Sequence, residues 1–131
     1  MSPSFNITDK TKSTERKFWR SVPFQSIKNR VLGKNYELSL VFVGNSDSQK
    51  LNKKYRSKNK PTNVLSFPIE KNVGEIFICI PVAKKEAMNF ERSLNNFIAL
   101  LFIHGLLHLK GMKHGKIMDK AEEKFRKKFA V

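Results

Sequence analysis

The segment at residues 97–109, FIALLFIHGLLHL, constrains the fold more than any other part of this 131-residue chain. It is apolar except for two histidines, and a helix that is apolar nearly all round must be buried. The segment is also shorter than the ~20 apolar residues that cross a bilayer. We therefore expect a long central helix in a soluble protein, with Gly111 just beyond its end as the C-terminal stop.

Every histidine of the chain lies on or just after this helix. His104 and His108 are four residues apart, which places both rings on one helix face. Gly111 can adopt the left-handed conformation that reverses the chain and returns His114 to the other two. Three neutral imidazoles and a water form the open arrangement of a catalytic zinc site. The spacing thus predicts one metal ion on these histidines, with a bound water that can act as a nucleophile; the alternative is that one or two of the histidines only pack on the helix.

The position after the first histidine limits the chemistry of such a site. The spacing H-x-x-x-H-x-x-G-x-x-H is that of the metzincin proteases, which have a glutamate where this chain has Gly105. That glutamate takes a proton from the water and passes it to the leaving amine, and a glycine can do neither. Peptide hydrolysis by this route is therefore disfavoured.

The charge of the chain favours a polyanionic partner. There are 26 Lys and Arg against 11 Asp and Glu, a formal net charge of +15. One stretch, defined here as the basic segment (residues 50–60), surrounds Tyr55 with six cations and no acid: Lys50, Lys53, Lys54, Arg56, Lys58 and Lys60. Such a cluster would bind phosphates in a salt-dependent way, although a solvated helix face is the simpler alternative. A phosphodiester is then the better substrate for a metal and an arginine.

The remaining pattern predicts an α+β fold. No repeat or long linker divides the chain, so we expect one domain over residues 1–131, a length sufficient for one core. Residues 1–12 are expected to form a short strand near residues 5–7 or to be partly disordered. Further strands are predicted at residues 36–44, 63–69 and 74–80. Helices are predicted at residues 13–32 with a break at Pro23, 46–55 with Ser46 as N-cap, 81–90, 93–110 and 116–128. These elements suggest a small mixed sheet of three or four strands packed with about five helices.

Two features suggest where the protein works. The lone Cys79 cannot form an internal disulfide, and the start MSPSFNITDKTKSTERK lacks the apolar core of a secretory signal. We therefore expect a cytoplasmic protein with no membrane partner.

Three blocks resemble the YbeY endoribonucleases, a family of bacterial ribosomal RNA maturation. HGLLHLKGMKH at residues 104–114 is similar to the family signature H-G-x-L-H-L-x-G-x-D-H, glycine included. LNKKYRSKNKPTNVLSFP at residues 51–68 resembles L-N-x-x-Y-R-x-K-x-x-P-T-D-V-L-S-F-P, and residues 74–87 resemble the G-D-I-x-I segment and the helix after it. The resemblance covers about residues 36–115.

The resemblance implies a zinc-dependent single-strand endoribonuclease. Such an enzyme trims the 3′ end of small-subunit ribosomal RNA and takes part in ribosome quality control. It implies a zincin-like helix with one Zn²⁺ per chain on His104, His108 and His114, and Arg56 as the functional arginine. We expect the RNA to contact Arg56 together with Lys53, Lys54, Lys58 and Lys60. The expected partners are ribosomal RNA, the small ribosomal subunit, and ribosomal proteins or assembly factors.

Several residues depart from the family pattern. Lys113 and Asn63 stand where the family has aspartates, and Glu75 replaces another. A lysine beside the last ligand adds positive charge near the metal, so we expect zinc to bind, but more weakly. Ser66 either faces the site or satisfies backbone groups of a strand. Two other functions stay open: a metallohydrolase of another substrate, such as a metzincin-like protease, and a non-catalytic ribosome assembly factor with a structural metal.

Overall fold

The computed structural model describes residues 4–11 and 18–131. Across these residues it has the α+β architecture predicted from the sequence, with four strands and five α-helices. The strands are β1 (Phe5–Asp9), β2 (Glu37–Val43), β3 (Val64–Glu70) and β4 (Val73–Cys79). The helices are α1 (Phe24–Leu32), α2 (Asn45–Arg56), α3 (Ile80–Asn89), α4 (Leu94–Leu109) and α5 (Lys116–Lys128), with a 3₁₀ turn at Phe18–Ser21. Residues 13–17 of the helix predicted at 13–32 lie outside the described residues, as do residues 1–3 and 12 of the segment predicted at 1–12.

The four strands form one mixed sheet in the order β1-β2-β4-β3. β1 pairs with β2 and β2 pairs with β4 in parallel, whereas β3 runs antiparallel to β4 and forms an edge of the sheet. Val73 begins β4 shortly after Glu70 ends β3, as expected for an antiparallel hairpin. The hairpin leaves β3 with one paired side and one open side, and this open edge borders the site described below.

The two faces of the sheet are covered by different helices. Leu40, Phe42 and Ile76 point to one face and are completely buried in the main core, which α1 and α4 complete. Val41 and Cys79 alternate to the other face, where a smaller apolar cluster lies beneath α2 and α3. α4 is buried along most of its length, as its apolar sequence predicted, and α5 packs against it.

The ends of the helices agree only partly with the sequence. Ser93 caps α4, since its hydroxyl accepts a hydrogen bond from the backbone N–H of Asn96 at 3.1 Å. Gly111 has φ +100°, so it supplies the predicted left-handed reversal after α4. Ser46 is not an N-cap: α2 begins one residue earlier, after Gly44, and no side chain caps it. Among the described helices, none is both long and apolar enough to cross a membrane.

Candidate metal centre

The three histidines meet at one point beside the open edge of the sheet. α4 presents His104 and His108 on one face, with their Nε2 atoms 3.1 Å apart. The turn at Gly111 returns His114, whose ring centroid lies 4.6 Å from that of His108. One ring nitrogen from each histidine can be chosen so that all three lie within 4.8 Å of one another. The spacing read from the sequence therefore becomes a converging set of three nitrogen donors.

The outer ring nitrogens of two histidines are held by oxygen acceptors. His104 Nδ1 lies 3.0 Å from Glu122 Oε2, and His108 Nδ1 lies 3.1 Å from the carbonyl oxygen of Met112. A carboxylate and a carbonyl can only accept, so each Nδ1 carries a proton, and the form of each ring that binds a metal has its lone pair on Nε2. The two facing lone pairs repel each other unless a cation or a proton lies between them. The donor set thus fits a metal ion such as zinc.

The surroundings of His108 favour its neutral form. Burial, above all, lowers the pKa of His108, and the neighbouring His104 imidazole lowers it further. A neutral imidazole is the form that binds a metal. Protons therefore compete less with a metal ion for this ring than they would for an ordinary histidine.

Glu122 is a site residue that the sequence did not indicate. It lies on α5, eighteen residues after His104 in the chain, and reaches that histidine because α5 packs on α4. Carboxylates in this position orient metal-binding histidines in many proteins. The residues around Glu122 are mostly charged, so no local pattern distinguished it from the exposed acids of the same helix.

Close packing explains why residue 105 is a glycine. A Cβ atom at this position would lie 2.9 Å from Ser66 Oγ and 3.1 Å from Ile76 Cδ1. The missing side chain lets α4 approach β3 and β4 closely, and Ser66 Oγ uses that closeness to donate to the Gly105 carbonyl oxygen at 3.1 Å. Ser66 thus does both things considered for it, since it satisfies a backbone group and also lines the cleft over the histidines.

The histidines lie in an open cleft of about 740 Å³. Its walls come from the end of α2, the loop before β3, the outer part of β3 and the turn after α4. Arg56 is in this wall, so the structure brings the predicted functional arginine to the same cleft as the three histidines. The residues lining the cleft are Arg56, Thr62, Asn63, Val64, Ser66, Pro68, His104, His108, Met112, Lys113 and His114.

Two buried polar residues of α2 fix the loop that carries this wall. Ser48 Oγ donates to the carbonyl oxygen of Thr62 and accepts from its backbone N–H, both at 2.9 Å. Asn52 Nδ2 donates to the carbonyl oxygen of Lys60 at 2.9 Å. Ser57 adopts a left-handed φ of 57° and ends α2 directly after Arg56. These contacts hold the loop in one path and keep the end of α2 beside the cleft.

The four lysines predicted to bind RNA are placed differently from Arg56. Lys53, Lys54, Lys58 and Lys60 are exposed on the last turns of α2 and on the following loop, and they are absent from the set that lines the cleft. They give the end of α2 and the loop after it an exposed basic surface. Any contact with a long polyanion would therefore extend beyond the cleft itself.

The departures from the family pattern also have defined surroundings. Asn63 Nδ2 donates to Glu86 Oε1 at 2.9 Å, a bond that an ionised aspartate could not donate. Lys113 is exposed and lines the cleft beside His114. Glu75 lies on β4 opposite Phe67 and is not among the cleft residues. The changes at residues 63 and 113 thus both make the cleft lining more positive than the family pattern, and Lys113 is the one next to a histidine of the site.

The fold and the site define a class of protein: an α+β domain whose central helix presents two histidines that converge with a third, in a cationic cleft, as a set that could hold a metal ion. Residues 4–130 match the family described as Endoribonuclease YbeY. The chain belongs to this family, and the resemblance seen in the sequence is confirmed.

Relatives with curated descriptions agree with this assignment. The Endoribonuclease YbeY of Colwellia psychrerythraea is 49% identical over 87 residues, covering 61% of this chain and 56% of that protein. The protein of the same name from Aster yellows witches'-broom phytoplasma is 43% identical over 97 residues, covering 67% and 63%. The chain thus matches these relatives over about three fifths of their length.

A solved structure supports the fold. The solution structure of TM1509 from Thermotoga maritima superposes with a TM-score of 0.67 at 26% sequence identity. The superposition covers 93% of this chain and 86% of that one. The shared architecture therefore includes nearly all of the chain and not only its signature blocks.

Proposed function

We propose that this protein is a metal-dependent single-strand endoribonuclease of ribosomal RNA. The observation that carries the proposal is the meeting of three converging imidazoles and Arg56 in one open cleft. Membership of a family whose curated relatives are called endoribonucleases supports the same reaction. The net charge of +15 supports a polyanionic substrate.

His104, His108 and His114 would hold one Zn²⁺ per chain. Three imidazole nitrogens with the cleft open beside them suit a catalytic zinc better than a closed structural one. When bound, the ion supplies Lewis-acid polarisation of a phosphoryl oxygen and activates an oxygen nucleophile. Glu122 and the Met112 carbonyl hold two of the rings in place, so little reorganisation is needed when the ion arrives.

Arg56 would bind the phosphate that is attacked. Its guanidinium is always charged and can form two parallel hydrogen bonds to a phosphate, which stabilises the charge that develops there. Lys113 adds a second cation on the same cleft wall. Thr62 and Ser66 complete that wall with hydroxyl-bearing side chains, of which Ser66 is committed to Gly105.

The protease alternative is disfavoured by the cleft itself. Of the described residues that line it, none is a carboxylate, so the glutamate chemistry of metzincins has no counterpart there. A side chain at residue 105 would also meet Ser66 and Ile76. The other alternative, an assembly factor with a structural metal, is opposed by the openness of the cleft around the histidines.

The proposed biological role rests on family membership alone. We propose maturation of the 3′ end of small-subunit ribosomal RNA and ribosome quality control, with the small subunit and ribosomal or assembly proteins as partners. The cytoplasmic location stays a prediction from the sequence. This role stays a proposal because the chain matches only about three fifths of the length of these relatives.

A cleavage assay with zinc content measured on the same samples tests the reaction. The substrates are precursor small-subunit ribosomal RNA and an unstructured RNA. We expect wild type to cleave, His108→Ala to lose both zinc and cleavage, and Arg56→Ala to keep zinc but lose cleavage. Arg30→Ala is the matched control, because Arg30 is exposed on α1 and does not line the cleft. Cleavage of casein but not RNA would support the protease, and RNA binding unaffected by His108→Ala without any cleavage would support the assembly factor.

A further inference from the structure

Tyr55 is an exposed aromatic ring held in a fixed position. Although it is 54% exposed, one side of its ring packs on Phe67, with ring centroids 4.9 Å apart. Phe67 in turn contacts Phe77 edge-on at 5.7 Å, so the support extends from β3 to β4. An aromatic ring that is backed by two others loses little side-chain entropy on binding a flat ligand.

The ring is surrounded by cations. Lys54 Nζ lies over the Tyr55 ring, 5.2 Å from its centroid, and Lys53 and Lys58 are exposed in the same basic segment. The segment contains no acidic residue. An aromatic face among lysines is the combination that proteins use to hold unpaired nucleic acid, with the base stacked and the phosphates neutralised.

The ring also lies next to the cleft, around the edge of the sheet. Along β3, Ser66 and Pro68 line the cleft, whereas Phe67 between them points to the opposite face and contacts Tyr55. On α2, Arg56 directly follows Tyr55 and lines the cleft. The edge strand therefore separates the cleft from the aromatic ring, and the last turn of α2 connects them.

We propose that Tyr55 is a base-stacking site for single-stranded RNA. The base of an unpaired nucleotide near the one whose phosphate lies in the cleft stacks on the exposed part of the Tyr55 ring. It displaces the exposed Lys54 ammonium from the ring, and that ammonium contacts an adjoining phosphate instead. Because a duplex would keep its bases stacked on each other, this site favours unpaired RNA. The ligand class rests on the proposed function, while the stacking site can be tested by binding alone.

The test compares two ligands and two Tyr55 variants on the zinc-loaded protein. The ligands are a fluorescent oligoadenylate of about ten nucleotides, within the usual range of single-strand sites, and an abasic strand of the same length. Fluorescence anisotropy is read before cleavage is detectable on a gel. We expect Tyr55→Phe to bind oligoadenylate like wild type and Tyr55→Leu to bind it about 5- to 160-fold more weakly, the range that stacking of one base supplies. The abasic strand should bind equally to wild type and Tyr55→Leu.

Two controls separate stacking from other effects. Ile69→Ala removes an exposed apolar side chain of β3 and should leave binding unchanged. Lys54→Ala should weaken binding of both strands and reduce the salt slope by about one. Melting temperatures show whether each variant is folded.

The outcomes are distinct. Equal binding of oligoadenylate by wild type and Tyr55→Leu, or an equal loss for the abasic strand, would overturn the stacking site. If wild type cleaves no RNA, the proposed function fails, but base-dependent binding lost in Tyr55→Leu would still support stacking.

Discussion

At the scale of single residues, the orientation of His104 depends on Glu122. The carboxylate accepts from Nδ1–H and so directs the Nε2 lone pair to the other two histidines. We expect Glu122→Ala to weaken zinc binding by about 10- to 100-fold. Glu122→Gln should have a smaller effect because the amide oxygen still accepts the hydrogen bond.

Zinc affinity can be measured by competition with a chelator of known affinity. Glu123→Ala is the matched control, since Glu123 is exposed on the same helix and pairs with Lys127 at 3.1 Å instead. An unchanged zinc affinity in Glu122→Ala would show that the contact does not position the ring.

Lys28 is a charged residue buried without a carboxylate partner among the described residues. It is only 1% exposed, and its Nζ donates to Asn29 Oδ1 at 3.3 Å and to the Lys34 carbonyl at 3.4 Å. Burial lowers the pKa of Lys28 below its ordinary value of 10.5. We expect Lys28→Met to increase the free energy of unfolding by about 1 kcal/mol at pH 7, because it removes a charge that is costly to bury.

The pH dependence of stability tests whether the buried charge of Lys28 causes this difference. Below the lowered pKa, Lys28 is charged in the folded and unfolded protein, so the folded state bears the whole desolvation cost. As pH rises through that pKa towards 10.5, the folded state sheds the proton and the cost disappears. The advantage of Lys28→Met in urea unfolding should therefore shrink in this interval. An advantage that is constant with pH would assign the gain to packing, and a destabilised variant would contradict the prediction.

At the scale of elements, the contact of α4 with β3 and β4 depends on the lack of a side chain at Gly105. A Cβ atom there would force Ser66 or Ile76 to move. We expect Gly105→Ala to cost about 1 kcal/mol, as overpacking outweighs the better helix propensity of alanine, and Gly105→Glu to cost considerably more. Chemical denaturation of both variants measures the loss.

Gly44 provides the matched control for this glycine. A Cβ atom at Gly44 would meet nothing within 4 Å, and its φ of −92° suits any residue. Gly44→Ala should therefore change stability less than Gly105→Ala. In a Ser66→Ala background the cost of Gly105→Ala should fall, because the nearest atom has been removed. Equal costs in both backgrounds would refute the proposed clash.

The same elements show how far the sequence can predict the structure. Apolar periodicity and turn residues predicted the strands, the buried α4 and the full extent of α5, because local preference and burial agree there. The sequence could not predict the contacts that form only after distinct elements of the fold come together. Glu122 is a site residue only because α5 lies on α4, and Ser48 and Asn52 act through hydrogen bonds to the backbone of the loop that follows α2. For α2, Ser46 matched the preferred cap chemistry, but the chain already turns at Gly44.

At the scale of the whole molecule, the positive charge favours a polyanion both in the cleft and around it. The net charge of +15 and the exposed lysines of the basic segment attract phosphates with little regard to sequence. Arg56 and Lys113 place two cations among the residues that line the cleft. Under the proposed function, the total charge governs the approach of RNA, while the cleft residues govern which phosphate is held.

Lys113→Asp separates these contributions. The substitution changes the formal net charge from +15 to +13, a small fraction of the whole, but reverses the charge beside His114. We expect stronger zinc binding, because a negative group replaces a positive one near the ion, and weaker RNA binding with a salt slope reduced by about one. Lys58→Asp makes the same change of net charge at an exposed residue outside the cleft lining. If the field of the whole molecule dominates, both variants will lose RNA affinity alike and neither will change zinc binding; a zinc effect confined to Lys113→Asp would assign that residue to the metal centre.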